Sequence, residues 1–338
     1  MTLPAYPNQI ALTDIQTEFG GANQVWNVRP NITSARYFSI AYGNGTFVAP
    51  ALAIANSSYT ATNIATTSPD GITWTARTMP ATSYWSNIAY GNSTFVAVTQ
   101  QNIAATSSDG ITWTARTLPA STNWRVIFGN GIFVAYNYGF GTASATSTDG
   151  VTWTSRTLPA SGNWGGGTFG NGLFVLFTQN NAYTSTDGIT WTARTKPAGF
   201  APQSTAYGNG LFVAILYNTN AYLTSPDGIT WTSRTLPVSA LWYSIAFGDG
   251  VFVAISLNRP SVVSTDGISW TQKTLPTLAF NNGNVWTAVA YGGGTFTAVS
   301  EVQDLGRATA ATYTNTNQPS AITDYYAGGV YVPAGTVG

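Results

Sequence analysis

The sequence predicts an all-β fold, a seven-bladed β-propeller whose blades are four-stranded antiparallel sheets. Three observations lead to this prediction. A seven-residue phrase recurs about every 40 residues, two turn signals stand in each period, and a copy of the repeat's last strand lies near the beginning of the chain. We expect that early strand to close the ring, with small segments from the two ends of the chain outside it.

The recurring phrase is Ser-x-Asp-Gly-x-x-Trp, which occurs six times. Its aspartates are Asp70, Asp109, Asp149, Asp187, Asp227 and Asp266, and its tryptophans are Trp74, Trp113, Trp153, Trp191, Trp231 and Trp270. A second phrase, most often aromatic-Gly-Asn-Gly-x-Phe-Val, begins seven times, at Tyr42, Tyr90, Phe128, Phe169, Tyr207, Phe247 and Tyr291. Together the two phrases mark successive copies of one structural unit.

Each repeat contains four predicted strands. In the second repeat they cover residues 86–90, 94–98, 103–107 and 111–117, with turns at Gly91-Asn92 and Asp109-Gly110. Such residues supply the positive φ angles that tight hairpins need. A parallel β-helix has shorter rungs, and an immunoglobulin array needs about 100 residues per unit, so this pattern indicates a propeller blade.

One blade lacks its outer strand, because seven aromatic-glycine phrases accompany only six aspartate phrases. The missing strand lies at residues 25–29, where Trp26 and Arg29 repeat the Trp-x-x-Arg spacing of Trp113 and Arg116. We expect the last blade to contain residues 285–290, 295–299 and about 308–314, with 25–29 as its fourth strand. This pairing would close the ring and remove its exposed edges.

The composition argues against several classes of function. The 338 residues include 12 Lys+Arg, 12 Asp+Glu, no His and no Cys, and the net charge is zero. The chain therefore lacks a basic surface for nucleic acid, imidazole bases and the usual nitrogen and sulfur ligands of metals. No apolar run approaches the length of a membrane span, and no signal peptide is recognised. We expect no nucleic-acid partner, no membrane span, no metal, no cofactor and no enzymatic activity.

The aspartate phrase resembles the Asp-box, or BNR repeat, of sialidases and related propellers, with one residue fewer between Asp and Gly. The resemblance covers about residues 24 to 315 and implies a fold rather than an activity. We expect the six Asp-box aspartates to accept backbone N–H bonds within their turns and the six tryptophans to pack against neighbouring strands. The repeated arginines are expected to clamp adjacent blades or to form an exposed rim.

The sialidase resemblance also implies a site with an arginine cluster, an activated tyrosine and acidic partners. Six of the twelve acids belong to Asp-boxes, and only Glu301 and Asp304 could form the carboxylate pair that glycoside hydrolysis usually requires. These two acids share one loop, which we expect to be a solvated crossover between strands. A glycan hydrolase remains an alternative function, and a resemblance to photosystem assembly factors adds a cellular assembly factor as a third.

A further aromatic set precedes each aromatic-glycine turn by five residues. Its members are Tyr37, Trp85, Trp124, Trp164, Trp242 and Trp286, with Pro202 in the remaining blade. They stand where each inner strand begins, on the face opposite the two kinds of turn. Exposed aromatic rings there would suit stacking on sugars or on a partner protein, so the set is a candidate ligand-binding face. The alternative is that these rings pack into the blades and close the centre of the ring.

The two ends of the chain differ from the repeat. Residues 10–21 begin with a capping box formed by Thr13 and Gln16 and stop at glycine, which predicts a short helix, whereas residues 317–338 are apolar and glycine-rich. Both ends resemble a module of tailed-bacteriophage virion proteins, particularly those of cyanophages: Ile10 to Gly21 matches its leader and Ala321 to Pro333 its second half. The expected attachment residues are Ile15, Phe19, Tyr325, Tyr326 and Tyr331.

The predicted organisation is an attachment segment at 1–22, a propeller at 23–316 and a second attachment segment at 317–338 that packs with the first. The resemblance implies a structural protein of the phage virion. A tail-fibre or receptor-binding role comes first, with attachment to a host surface glycan or protein, and a decoration protein of the capsid or tail is the alternative. The expected partners are other virion proteins, and a homo-oligomer is possible.

Overall fold

The structure is a computed structural model, and it describes residues 26–29, 35–54, 59–199, 201–276, 285–301, 310–314, 325–327 and 330–332. The chain divides into two compact units, one formed by Trp26–Tyr313 and the other by Met1–Val25 with Thr314–Gly338. Every regular element among the described residues is a β-strand. In that part of the chain there is no helix long and apolar enough to cross a membrane.

The strands of the first unit follow the blades in order. Strand β1 is Asn27–Arg29. Blade 1 contains β2 (Ala35–Tyr37), β3 (Ala41–Gly43), β4 (Thr46–Ile54), β5 (Thr62–Ser68) and β6 (Thr75–Ser83); blade 2 contains β7 (Trp85–Gly91), β8 (Thr94–Thr99), β9 (Ile103–Ser107) and β10 (Thr114–Thr117); blade 3 contains β11 (Trp124–Gly129), β12 (Ile132–Asn137), β13 (Gly139–Ser147) and β14 (Thr154–Trp164).

Blade 4 contains β15 (Thr168–Gly170), β16 (Leu173–Phe177), β17 (Asn181–Ser185) and β18 (Thr192–Thr195); blade 5 contains β19 (Ser204–Gly208), β20 (Leu211–Ile215), β21 (Thr219–Ser225) and β22 (Thr232–Ala240). Blade 6 contains β23 (Trp242–Gly248), β24 (Val251–Ser256), β25 (Pro260–Ser264) and β26 (Thr271–Thr274); blade 7 contains β27 (Val285–Gly292), β28 (Thr295–Glu301) and β29 (Ala310–Thr314).

The predicted fold class is confirmed: the first unit is a seven-bladed propeller of four-stranded antiparallel sheets. Each blade is a meander, so its first strand is innermost and its fourth is outermost. In blade 1 the innermost strand is divided between β2 and β3, which both pair with β4. Neighbouring innermost strands contact one another around the ring, from blade 1 through to blade 7 and back.

Contacts between glycine and aromatic residues join every pair of adjacent blades. The glycine that follows the aromatic residue of the second phrase lies directly against the corresponding aromatic ring of the next blade, and a methyl group at the glycine would overlap that ring. The seven contacts are Gly43–Tyr90, Gly91–Phe128, Gly129–Phe169, Gly170–Tyr207, Gly208–Phe247, Gly248–Tyr291 and Gly292–Tyr42. The last of these joins blade 7 to blade 1, so the series forms a complete circle.

Asp-box turns hold the third and fourth strands of a blade together. In blade 2, Asp109 Oδ1 accepts the backbone N–H groups of Ile111 and Thr112 at 2.8 and 2.9 Å. Trp113 Nε1 donates to the carbonyl oxygen of Gly110 at 3.0 Å. Gly110 has a φ of 74°, which favours glycine. The aspartate and the tryptophan are therefore both used within the turn.

The hydrogen bonds of these turns favour the charged carboxylate. In blade 4 the backbone N–H of Thr190 has the largest effect on the pKa of Asp187; burial opposes it, but the further hydrogen bonds from Ile189 and Ser185 help to lower this pKa to about 2. An aspartate with such a pKa stays ionised at every pH at which proteins usually work. These acids stabilise the turns and are poorly suited to proton transfer.

The repeated arginines bond within a blade rather than between blades, which corrects the expectation of an inter-blade clamp. The Nε atom of Arg116 donates to Thr106 Oγ1 on the neighbouring strand of the same sheet, at 3.0 Å. Matching bonds join Arg77 to Thr67, Arg156 to Thr146, Arg194 to Thr184 and Arg234 to Thr224.

Asparagine side chains connect adjacent blades on the face that carries both kinds of turn, which we call the turn face. Asn92 Nδ2, in the first hairpin of blade 2, donates to the carbonyl oxygen of Thr148 in the Asp-box turn of blade 3, at 2.9 Å. The same bond joins Asn44 to Ser108, Asn130 to Thr186 and Asn209 to Thr265. The opposite face, where innermost strands begin and blades connect, is called the entry face.

Strand β1 lies antiparallel to β29, with Asn27 opposite Thr312 and Arg29 opposite Ala310. Trp26 is buried, and its Nε1 donates to Ser261 Oγ of blade 6 at 3.1 Å. Its ring is 5.5 Å from that of Tyr313, measured between centroids. Closure of the last blade by this strand stays a prediction, with the test given at the end of this subsection.

In the second unit the described residues form one hairpin. Strand β30 (Tyr325–Ala327) pairs antiparallel with β31 (Val330–Val332), and Tyr326 lies opposite Tyr331. The short helix predicted within residues 10–21 and the expected attachment residues Ile15 and Phe19 fall outside the described residues. The proposed boundaries at residues 22 and 317 therefore stay predictions.

Removing residues 1–30 tests the closure by β1. The deletion would expose the backbone edge of β29, so the propeller should aggregate and unfold at a lower temperature, because an open edge pairs with other chains. Light scattering and thermal unfolding measure both effects. A matched deletion of residues 1–22 keeps the strand and should behave like the full chain in both measurements. Equal aggregation and equal unfolding temperatures for the two deletions would contradict closure by β1.

Candidate functional site

The six aromatic residues predicted as a ligand-binding face are buried, so that prediction is corrected. The exposed fraction of Tyr37, Trp85, Trp124, Trp164, Trp242 and Trp286 is 0% or 1%. Trp124 packs with Phe133 in the core between blades, and its Nε1 donates to the carbonyl oxygen of Ala120 at 3.0 Å. A ring enclosed in this way offers no face to a ligand. These side chains pack into the blades instead.

The residue that follows each of these positions leaves the regular ladder in six of the seven blades, either at a β-bulge or just outside a strand. The residues in this position are Phe38, Ser86, Arg125, Gly165, Gln203, Tyr243 and Thr287, one from each blade in order. They differ in every blade, whereas the preceding position is aromatic in six of the seven. Variation at one position of an otherwise regular repeat indicates a local role beyond the scaffold.

Two of these side chains meet although their blades are not adjacent in the ring. Phe38 of blade 1 and Tyr243 of blade 6 lie with their ring centroids 6.2 Å apart in an edge-on arrangement, although blade 7 separates their blades. Burial raises the pKa of Tyr243, and Arg125 of blade 3 opposes the effect. Side chains from distant blades therefore converge at the entry face, and Tyr243 stays a neutral phenol.

An ion pair joins blade 1 to blade 7 at the same place. Arg36 Nη1 donates to Glu301 Oε1, and the two side chains are 9% and 11% exposed. The guanidinium of Arg36 also lies 4.9 Å from the ring centroid of Tyr59. Burial raises the pKa of Glu301 even though Arg36 acts to lower it. The desolvation of this carboxylate thus outweighs the attraction of its partner.

The position of Glu301 corrects the expectation of a solvated loop. The residue ends strand β28 and is buried, and its partner Asp304 lies outside the described residues. No group of three or more His, Cys, Asp and Glu residues that could hold a metal ion occurs among the residues the structure describes.

Arg125 is the second cation of this region, and it differs from Arg36 in having no carboxylate. Its guanidinium carbon lies 3.7 Å from the ring centroid of Tyr138, which follows strand β12. Within the described part of the chain the guanidinium of Arg125 forms no hydrogen bond and no ion pair. Burial acts to lower the pKa of Arg125, but the phenols of Tyr138, Tyr136 and Tyr243 outweigh it and raise that pKa.

Blade 4 departs from the repeat at the entry face. Gly165, Gly166 and Gly167 stand where the innermost strand of other blades begins, and β15 starts only at Thr168. The Gly166 N–H donates to the carbonyl oxygen of Pro202 at 2.7 Å, which brings blade 5 against this bare backbone. A Cβ at any of the three would overlap a neighbouring atom, so the glycines let the neighbouring chain approach closely, and a gap remains only beside Gly165.

The gap is a cleft of about 510 Å³ between blades 3, 4 and 5, which we call the blade-4 cleft. Tyr138 borders it, and the Tyr138 hydroxyl donates to Gln203 Oε1 at 3.2 Å, so the two residues bridge blades 3 and 5. The lining is made of aromatic rings, side-chain amides and backbone: Tyr138, Asn163, Trp164, Gly165, Gln179, Ala201, Pro202, Gln203, Tyr217 and Asn218. No charged residue belongs to it.

A second groove of about 300 Å³ shares Asn163 and Gln179 with this cleft. It lies beside the long hairpin of β13 and β14, whose ladder extends to the pairs Gly139–Trp164 and Phe140–Asn163. Phe140 is 81% exposed, the largest exposed fraction among the exposed large hydrophobic residues of the described chain. Blades 3 and 4 therefore form a continuous recessed surface at the entry face.

Fold and site together define a β-propeller with its recessed, variable surface on one face. No family model and no curated protein matches the sequence. Solved structures with a similar fold include a streptogramin B lyase, with a TM-score of 0.71 and 12% identity over 86% of this chain and 97% of that one. A virginiamycin B lyase from Staphylococcus aureus has a TM-score of 0.70 and 12% identity, over 86% of this chain and 99% of that one. YCF48 bound to D1 peptide has a TM-score of 0.64 and 13% identity, over 87% of this chain and 96% of that one.

These similarities contradict the prediction that the chain is not an enzyme. Two of the propellers that match nearly the whole fold are lyases, so this architecture does support catalysis. The prediction of no enzymatic activity rested on the absence of His and Cys and on the use of six acids in turns. Neither observation argues against an enzyme whose catalytic groups are of other types. At 12% identity the similarity establishes the fold and carries no residue role.

Replacing Glu301 tests the ion pair between blades 1 and 7. Glu301→Gln leaves the buried cation of Arg36 without its counter-charge, so the free energy of unfolding should fall by about 3 kcal/mol. The double replacement Arg36→Met with Glu301→Leu removes both charges and should cost about 1 kcal/mol or less. Denaturant unfolding of the two variants measures the difference. A loss below about 0.5 kcal/mol in Glu301→Gln, as at an ordinary surface site, would contradict the role of the pair.

Proposed function

We propose that this protein is displayed on a phage virion and that its propeller binds a glycan of the host surface in the blade-4 cleft. The observation that carries the binding role is the cleft itself, an opening of about 510 Å³ beside Gly165, the first of three glycines that precede the innermost strand of blade 4. Concave sites with a few convergent polar groups are where proteins bind small molecules and chain ends.

The chemistry of the lining favours a sugar. Asn163, Gln179, Gln203 and Asn218 supply amide groups, each with two N–H donors and one acceptor, which match neighbouring hydroxyl groups. Tyr217 is 42% exposed and borders the cleft, so one ring is available for stacking on an apolar sugar face. A nucleic acid would need a basic surface, and the chain has no net charge.

The virion setting is supported by the two ends of the chain. Residues 10–21 and 321–333 resemble the two halves of a module of tailed-phage virion proteins, and the propeller stands between them. Most of this second unit lies outside the described residues, and its described hairpin pairs Tyr326 with Tyr331. In this proposal the ends attach to another virion protein, and the propeller presents its entry face to the host.

The receptor-binding role is tested by Tyr217→Ala. The side chain is partly exposed, so its loss should leave the unfolding temperature unchanged while it weakens binding to an array of bacterial surface polysaccharides roughly tenfold, the effect of one lost stacking contact. The matched control is Ile111→Ala, which removes a side chain of similar exposure, 46%, from an Asp-box turn on the turn face. This control should bind as the wild type does.

Two treatments of host cells separate a glycan from a protein ligand. Periodate oxidation of cell-surface sugars should abolish binding of the propeller, and protease treatment should leave it intact. The same incubations record whether the polysaccharide is shortened, which would make the cleft a catalytic site. Binding that survives periodate, or that is equal in Tyr217→Ala and wild type, would contradict a glycan site in the cleft.

The attachment role is tested by deleting residues 317–338. The propeller belongs to the other compact unit, so its unfolding temperature should be unchanged, whereas the copy number per virion should fall to near zero. Quantitative mass spectrometry of purified particles measures the copy number, and its value also separates a fibre, present in few copies, from a decoration protein. Incorporation of the truncated chain at the normal copy number would contradict attachment through this end.

A further inference from the structure

We infer that Arg125 recognises a carboxylate group carried by a sugar of the glycan, so that the site selects an acidic polysaccharide. The inference rests on the proposed function, because it places the sugar in the blade-4 cleft beside Tyr138.

The first argument is that the acids of the described chain are used elsewhere. The six Asp-box aspartates accept hydrogen bonds within their own turns, as Asp109 and Asp187 do. Glu301 forms its ion pair with Arg36, and Asp249 lies in the first hairpin turn of blade 6, on the turn face. Arg125 therefore has no carboxylate among the residues the structure describes, although a guanidinium in a partly buried setting is stable only when its charge and donors are compensated.

The second argument is a comparison of the two arginines within this one ring. Both lie near the beginning of an innermost strand, Arg36 in blade 1 and Arg125 in blade 3, and both rest against a tyrosine ring. In blade 1 the protein supplies the counter-charge from Glu301 of blade 7. The described residues supply no equivalent in blade 3, and the inference assigns the counter-charge there to a ligand.

The third argument is that Arg125 is held in place. Its guanidinium lies 3.7 Å from the ring centroid of Tyr138, and the Tyr138 hydroxyl is fixed by its bond to Gln203. Tyr243 lies close enough for its pKa to respond to the arginine. Stacking on a ring engages the face of a guanidinium and leaves its N–H groups free at the edge, where they match the two oxygens of a carboxylate.

The fourth argument concerns the position of the cleft. Tyr138 and Gln203 belong to its lining, and the guanidinium of Arg125, which is not part of the lining, lies 3.7 Å from the centroid of the Tyr138 ring. The lining itself carries no charge. The amides would then bind hydroxyl groups of the sugar, and Arg125 would distinguish an acidic sugar from its neutral counterpart.

The test uses sodium D-glucuronate and D-glucose, which differ only at the sixth carbon. In the full-length protein at constant ionic strength, glucuronate should shift the side-chain NMR signal of Arg125 saturably and bind at least roughly tenfold more tightly than glucose. Arg125→Gln should abolish this preference. Arg125→Lys should restore little of it, because an ammonium lacks the paired N–H donors with which a guanidinium binds both oxygens of a carboxylate. Arg116→Gln, an outer-strand variant, should keep the preference.

Acetate and sulfate are measured alongside to separate a sugar acid from a simple anion. The inference predicts that both bind more weakly than glucuronate, because they make no contact with the amides of the cleft. Equal binding of glucuronate and glucose, an unchanged preference in Arg125→Gln, or acetate binding equal to that of glucuronate would each overturn it.

If the polysaccharide array responds to Tyr217→Ala but the protein shows no preference for glucuronate over glucose, the binding role of the cleft stands and the acidic ligand is contradicted. A glucuronate preference with no effect of Tyr217→Ala on the array would instead contradict the cleft as the glycan site.

Discussion

The contact between a glycine and the aromatic ring of the next blade is the constraint on which the rest of the structure depends. Gly129 illustrates it, because the ring of Phe169 occupies the space that any side chain at Gly129 would fill. Phe169 also packs on Phe174 of its own sheet, with centroids 4.8 Å apart. The same contact recurs seven times and returns from Gly292 to Tyr42, so each blade is spaced by its neighbour around a closed circle.

This regular framework confines variation to the entry face. The turn face repeats one set of Asp-box and asparagine hydrogen bonds from blade to blade, for example from Asn92 to Thr148. At the entry face each blade contributes a different residue, and blade 4 contributes Gly165 with no side chain at all. Arg36, Arg125 and Glu301 lie at that end of the ring, where partial burial strengthens their interactions. The framework thereby presents a recessed, chemically distinct surface without disturbing the packing between blades.

The parts that followed from the sequence are those determined by short spacings. The Asp109-to-Trp113 turn was predictable because its hydrogen bonds join residues at most three positions apart, and the number of blades followed from the seven aromatic-glycine phrases. Trp124 was misassigned because an aromatic residue at the start of a strand gives no indication of which side of the pleat it occupies. Arg125, one position later, was missed. The signal that could have found it was present, since this position alone varies in every repeat.

Two contacts between residues that are far apart in the chain could not be predicted from the sequence. Glu301 and Arg36 are 265 positions apart, and no local pattern connects them, so the acid was assigned to a solvated loop. The blade-4 cleft likewise depends on the approach of blade 5 to Gly166 through the carbonyl oxygen of Pro202. Three consecutive glycines indicate a close approach of neighbouring chain, but the cleft beside Gly165 is defined by residues such as Tyr138, Gln203 and Tyr217 from the adjacent blades.

The most direct measurement is a crystal structure of the protein bound to an oligosaccharide that contains glucuronate. The result expected is electron density for the sugar in the blade-4 cleft, with its carboxylate at hydrogen-bond distance from the Arg125 guanidinium and a sugar ring against Tyr217. Density on the turn face, or a sugar in the cleft whose carboxylate points away from Arg125 into solvent, would contradict the assignment of this surface as the recognition site.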